Sequence, residues 1–203
     1  MIRTILFDFG NVVAFFDHDR AIRRLRAHTD KTAEQLWELV YQDDLAYRYE
    51  RGHATTDDLF AVARDKGGIT CTKHEFVAAF CDIFWSNPPV ADLIPRLKRA
   101  GYRLVLASNT NEAHYAHFRQ QFKDVLDHFD AISLSHEAGA RKPEPAFFAY
   151  THGLAKCEPG ECLFVDDLEA NIAAARAFGW HAIHLTHFDD LTKGLRAAGV
   201  HVD

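Results

Sequence analysis

The chain has 203 residues, 48% hydrophobic and 26% charged, with sixteen Phe and three Trp. That profile excludes a disordered chain and fits one folded domain, or one domain carrying a smaller insert. The net charge of -6 argues against a nucleic-acid binder, which needs a basic surface. It leaves room for a small anionic ligand, because a local site can be positive on an acidic protein.

Cys71, Cys81, Cys157 and Cys162 form no C-x-x-C pair, so neither a zinc site nor a disulfide framework is expected. Reduced thiols and a cytoplasmic location are the expectation. The opening residues, MIRTILFDFG, run directly into a strand pattern and do not read as a signal peptide. No apolar stretch approaches the ~20 residues of a membrane span.

In chain order, the first apolar run is 4–7, a strand ending at Asp8. Residues 16–87 then show no convincing strand. Their amphipathic spacing predicts helices over 20–28, 33–45, 56–66 and 73–85, with Thr55 or Thr56 as an N-cap. Asn87-Pro88-Pro89 reads as a hinge back to the core. Four more apolar runs follow, at 103–107, 131–134, 162–165 and 181–185, separated by helical patterns at 91–100, 112–122, 144–153 and 170–178. Near-continuous apolar runs alternating with helices predict a doubly wound, Rossmann-like three-layer α/β core with a parallel sheet. The core would comprise residues 1–15 and 88–203. Residues 16–87 would form a small all-helical cap over the strand ends, where such sheets bind ligands.

Four polar clusters close predicted strands or follow them: Asp8-Phe9-Gly10-Asn11, Ser108-Asn109-Thr110, Arg141-Lys142-Pro143, and Asp166-Asp167 with Asn171 beyond. A parallel sheet would gather them into one site. Phosphoryl transfer needs such a set. A carboxylate can serve as nucleophile, a hard cation on oxygen ligands offsets its charge, and fixed donors hold the phosphate oxygens.

The order and spacing of these motifs, ILFDFGNVV, LASNTN, ARKPEP and LFVDDLEAN, resemble the haloacid dehalogenase superfamily across essentially the whole chain. The resemblance implies Asp8 as the nucleophile and a Mg²⁺ ligand. It implies the Gly10 carbonyl as a second ligand, Asp167 as a direct one, and Asp166 acting directly or through water. Phe9, Gly10, Ser108 and Asn109 would line the phosphate site, and Lys142 would neutralise Asp8 and the phosphate. Asn171 would orient the metal carboxylates.

One departure from the family's phosphatases matters. Their second Asp, two residues after the nucleophile, is Gly10 here. Losing that general acid/base would cost on the order of 10²–10⁴ in rate. Three readings follow. The substrate can carry a leaving group that needs little help to depart, such as an anomeric, aryl or acyl phosphate. The motif DFGN and the Glu50-Arg51-Gly52 turn resemble a subgroup containing bacterial glucose-1-phosphatases, in keeping with a sugar 1-phosphate. Alternatively, Asp17 or His18 replaces the acid. Thirdly, the chain binds a phosphorylated ligand without turning it over. A 2-haloacid dehalogenase also lacks the second Asp, but it needs no metal and carries no adjacent pair like Asp166-Asp167.

Other residues invite blander readings. His114 and His117, three apart on a helix, are read as surface or supporting histidines, as are His181 and His184. Arg141 is expected to face solvent or the cap. Of Trp37, Tyr41, Tyr47, Tyr49 and Phe60 in the helical segment, most are expected to form its small core. Phe15, Phe16 and Tyr47 are candidates for touching substrate on position alone. The expected partner is a small phosphorylated metabolite, with neither nucleic acid nor membrane involved, and the expected state is a monomer or weak homodimer.

Overall fold

The five apolar runs form one parallel sheet in the computed structural model, which describes residues 1–202. The strands are β1 (Thr4–Phe7), β4 (Arg103–Ser108), β5 (Ala131–Leu134), β6 (Cys162–Asp166) and β7 (His181–His184), in spatial order β5-β4-β1-β6-β7. The chain builds outward from β1 in one direction through β4 and β5. It then crosses back to the other side through β6 and β7. The direction reverses at β1, the switch point where an open α/β sheet leaves a crevice beyond its strand ends.

Alternate strand residues feed two cores, as the two-residue period requires. Ile5, Phe7, Leu104, Leu106, Leu163 and Val165 pack with Val90, Leu93, Ile94 and Leu97 of helix 88–99 and with Leu191 and Leu195 of helix 188–197. Leu6, Val105, Ala107, Cys162 and Phe164 pack on the opposite face with Phe147 and Phe148 of helix 145–155 and with Ile172 and Ala175 of helix 169–178. This is the three-layer α/β core expected. No helix among the described residues is long and apolar enough to cross a membrane.

The region between β1 and β4 differs from expectation in three ways. Two short strands, β2 (Ala14–Phe16) and β3 (Phe84–Ser86), pair antiparallel and form a stem for the helical segment. At three residues each, they lack the alternation that marks a strand in sequence. The expected helix 73–85 therefore stops at Cys81. The expected helix 33–45 is also broken: Ala33–Trp37 passes into a π-turn at Glu38–Gln42, Asp43 is extended, and a new helix runs Asp44–Glu50. The segment thus has five short α-helices, not four. Thr55, Thr32 and Thr72 each close a reciprocal cap with the residue three positions on. Finally, Asn87 is tied down rather than free: its buried amide donates to the Val12 carbonyl at 2.7 Å.

The segment has its own apolar cluster, including Ile22, Leu25, Leu36, Tyr49, Phe76 and Phe80. Trp37, Tyr41 and Phe60 pack against it partly buried.

Candidate active site

β1 and β6 are neighbours in register, with Phe7 opposite Val165. The residue after each, Asp8 and Asp166, therefore leaves the same edge of the sheet side by side. Lys142 enters from the loop after β5, and its side chain is only 1% exposed. Its Nζ lies 2.7 Å from Asp8 Oδ1 and 2.7 Å from Asp166 Oδ2. Asp166 is fully buried and both its oxygens are engaged. Oδ2 accepts from Lys142, while Oδ1 accepts from the Leu168 N–H and the Asn171 amide, each at 2.9 Å. Asp167 is more open. Its Oδ2 accepts from Asn11 at 3.1 Å, and its backbone carbonyl is 2.8 Å from His184 Nε2.

Ligand oxygens of Asp8, Asp166 and Asp167 all lie within 4.8 Å of one another. Three carboxylates against one ammonium leave two negative charges in a largely buried site. The charge states record the strain. Burial pushes the Asp8 carboxyl up to about 7, with Asp166 and Asp167 adding to the rise and Lys142 opposing it. Burial likewise raises Asp167. Burial works against the Lys142 ammonium, yet Asp8 and Asp166 overcome it and hold its pKa above the ordinary lysine value. A divalent cation relieves this like-charge crowding, and an all-oxygen donor set suits Mg²⁺.

On the phosphate side, Ser108 is buried and lines the same cavity as Asp8, Gly10, Asn109 and Lys142. The Asn109 amide is already committed: it donates to the Lys142 carbonyl at 2.9 Å and accepts from the Lys142 N–H at 2.8 Å. It braces the lysine loop, so only its backbone remains for a phosphate. The Phe9 ring is stacked on Phe118 in the core, and its N–H is spent on Asp8 Oδ1 at 2.7 Å.

The cavity measures about 420 Å³ and reaches from the carboxylates to the helical segment, where Phe16, His18, Trp37, Tyr41 and Tyr47 line it. Phe16 and Tyr47 are thus cavity residues. Phe15 instead faces Trp85 across the β2–β3 stem, their ring centroids 6.0 Å apart. The two candidate acids fare differently. Asp17 caps the helix His18–Leu25, accepting from the Asp19 N–H at 2.8 Å, pairs with Arg23 and lies outside the cavity. His18 lines it, but burial lowers its pKa to about 4, so its imidazole is neutral near pH 7 and has no proton of suitable acidity to give.

His114 is a correction. It is buried rather than at the surface, stacked on Phe80 at 4.2 Å with Nε2 3.2 Å from the Phe80 carbonyl, and it lines the cavity. Ser135 had no signal in the sequence, and Asn11, though part of the first polar cluster, had no assigned role. Asn11 holds Asp167, while Ser135 brackets Thr110 through both its N–H and its carbonyl. Their partners are distant in sequence, and only the assembled sheet brings them together.

A doubly wound sheet with a carboxylate cluster and a buried lysine at its switch point offers an all-oxygen site suited to a divalent cation. The chain belongs to the haloacid dehalogenase-like hydrolase family, matching it over residues 2–179. It is 28% identical over 186 residues to the D-ribitol-5-phosphate phosphatase of Bacteroides thetaiotaomicron, covering 89% of this chain and 90% of that one. A HAD family enzyme from the same organism, solved with magnesium and inorganic phosphate, matches with a TM-score of 0.78 at 26% identity over 90% of this chain and 93% of that one. An L-2-haloacid dehalogenase from Xanthobacter autotrophicus shares the fold, with a TM-score of 0.64 at 19% identity over 99% and 85% of the two chains.

Proposed function

We propose that the chain is a Mg²⁺-dependent phosphomonoester hydrolase that acts through an aspartyl-phosphate on Asp8. The observation that carries this reading is the position of Lys142 Nζ, 2.7 Å from both Asp8 and Asp166 beside a third carboxylate. Asp8, Asp167 and the Gly10 carbonyl would hold the ion. Asp166, saturated by protein donors, would act through water. When bound, the ion would offset the charges of the attacking carboxylate and the phosphate.

In the first step an Asp8 oxygen bonds to phosphorus and the bond to the leaving oxygen breaks. Lys142 and backbone N–H groups near Ser108 and Asn109 stabilise the equatorial oxygens. In the second step water attacks phosphorus, the bond to Asp8 breaks, and inorganic phosphate leaves with Asp8 restored. A dehalogenase would give the three-carboxylate cluster no work to do.

Position 10 supports a substrate whose leaving group needs no protonation. A Cβ on Gly10 would come within 2.7 Å of Phe16 Cε1, so the ring already fills the space an acid would use. With Asp17 outside the cavity and His18 neutral, neither candidate replaces the acid. A small sugar phosphate such as a sugar 1-phosphate, whose anomeric oxygen departs more readily than a simple alkoxide, fits this site. Residues 16–87 would serve as a cap that admits substrate and then excludes water.

The test is phosphate release from p-nitrophenyl phosphate. Release with Mg²⁺, abolished by EDTA and reduced at least about 10³-fold in Asp8→Asn, is expected. Ligand binding without release would instead favour a phosphate-ligand-binding protein. Halide release from a 2-haloacid in EDTA would favour the dehalogenase.

A further inference from the structure

Arg141 and Glu50 come from opposite sides of the cavity, one from the lysine loop and one from the helical segment. Arg141 Nε is 3.1 Å from Glu50 Oε2. The guanidinium lies 5.2 Å from the centre of the Tyr47 ring, which is 47% exposed, and all three residues line the cavity. The enclosed atoms of this pair are Nε and Oε2, which face each other. The two terminal nitrogens of Arg141 and Oε1 of Glu50 make no bond to the described residues and are not enclosed. The pair therefore leaves N–H donors on Arg141 and an acceptor on Glu50 open at the cavity, while Nε and Oε2, 3.1 Å apart, form an ion pair not aligned for a hydrogen bond.

Resting on the phosphatase reading above, we propose that the Glu50–Arg141 pair determines specificity by binding adjacent hydroxyls of the leaving group. A hydroxyl both donates and accepts. One can give its proton to Glu50 Oε1 while its neighbour accepts from Arg141, and charged partners strengthen both bonds. The pair is balanced in charge, so it favours a neutral hydroxylated group over a second anion. Its position suits the task, because Arg141 directly precedes Lys142, with adjacent Cα atoms about 3.8 Å apart. A phosphate held at Lys142 therefore shares one cavity with the pair. Tyr47 supplies an aromatic face for the C–H side of a sugar or polyol.

A purely structural alternative exists beside it. Arg51 pairs with Glu144 two residues past Lys142, and Gly52 (φ +68°) approaches the His136 backbone so closely that a Cβ would meet its carbonyl oxygen at 2.1 Å. These contacts fasten the helical segment to the core without offering free atoms to the cavity. Arg51→Gln therefore separates fastening from hydroxyl recognition.

The experiment measures kcat/KM for phenyl phosphate and for three hydroxylated probes: α-D-glucose 1-phosphate, ribitol 5-phosphate and glycerol 3-phosphate. The quantity read is the ratio of the best hydroxylated probe to phenyl phosphate, compared between variants so that leaving-group differences cancel. Glu50→Gln and Arg141→Lys are each expected to lower this ratio on the order of 10–100-fold, while Arg51→Gln keeps it. The proposal is overturned if the ratio is unchanged in Glu50→Gln and Arg141→Lys, if Arg51→Gln lowers it equally, or if the unmodified chain hydrolyses phenyl phosphate but none of the three probes. No release from any of the four overturns instead the phosphatase reading on which it rests.

Discussion

The sheet and the helical segment solve the same burial problem with different materials. In the sheet, aliphatic residues alternate between two cores, and each strand ends where a polar residue is needed. Register alone then sets Asp8 beside Asp166. In the helical segment, short helices pack around aromatic rings, and their ends are fixed by side-chain caps and by a π-turn that interrupts one of them. The sheet's precision comes from backbone pairing, which carries the chemistry. The segment's shape comes from ring packing.

The largest effect should come from the sheet side. Lys142→Met removes the one cation between two buried carboxylates. Without divalent metal it should cost roughly 3–5 kcal/mol of stability, read by urea denaturation. In saturating Mg²⁺ it should lower kcat on the order of 10²–10³-fold. Unchanged stability would mean that the carboxylates do not depend on this lysine, and the contrast between the two regions would fail.

A smaller change should follow where the regions meet. Gly10→Asp alone collides with Phe16 and should slow the enzyme. Combined with Phe16→Ala, it restores room for a general acid, and release from simple alkyl phosphates should rise about 10-fold or more relative to aryl phosphates. An equal response from both substrate classes would show that proton donation is not what position 10 withholds.

The third effect belongs to the segment's aromatic packing and is read through pH. Burial lowers the pKa of His114 to about 3, so the folded chain refuses a proton that the unfolded chain accepts near 6.5. This contribution to stability is complete above pH 6.5 and is lost as pH falls toward 3, with a slope near 1.4 kcal/mol per pH unit. His18, lowered to about 4 by burial, acts in the same sense. His114→Gln should flatten the pH dependence of the urea midpoint by about one proton's worth. An unaltered slope would place the titrating group elsewhere.

How much of this was legible in the sequence follows the same division. The five core strands and the convergence of Asp8, Lys142, Asp166 and Asp167 could be read in advance, because apolar runs and strand-end polar residues are local signals. Asn171 is placed beside the metal carboxylates by the family resemblance rather than by spacing, and its amide donates to Asp166. Asn109 could be placed at the site but not assigned its work, since its partner is the backbone of a loop 33 residues away. The β2–β3 stem, the break at Asp43, the burial of His114 and the Glu50–Arg141 pair were not legible. Each depends on which elements meet, and no short-range periodicity encodes that.

The central claim is that Asp8 becomes phosphorylated during turnover. Gly10 stands where the family's usual base for the second step would be, so the intermediate should accumulate. Mixing the Mg²⁺-loaded chain with p-nitrophenyl phosphate, quenching in acid within milliseconds and mapping peptides by mass spectrometry tests this directly. The predicted result is a phosphoryl group on Asp8, absent in EDTA. Steady release of phosphate with the label on another residue, or with none on the protein, would contradict it.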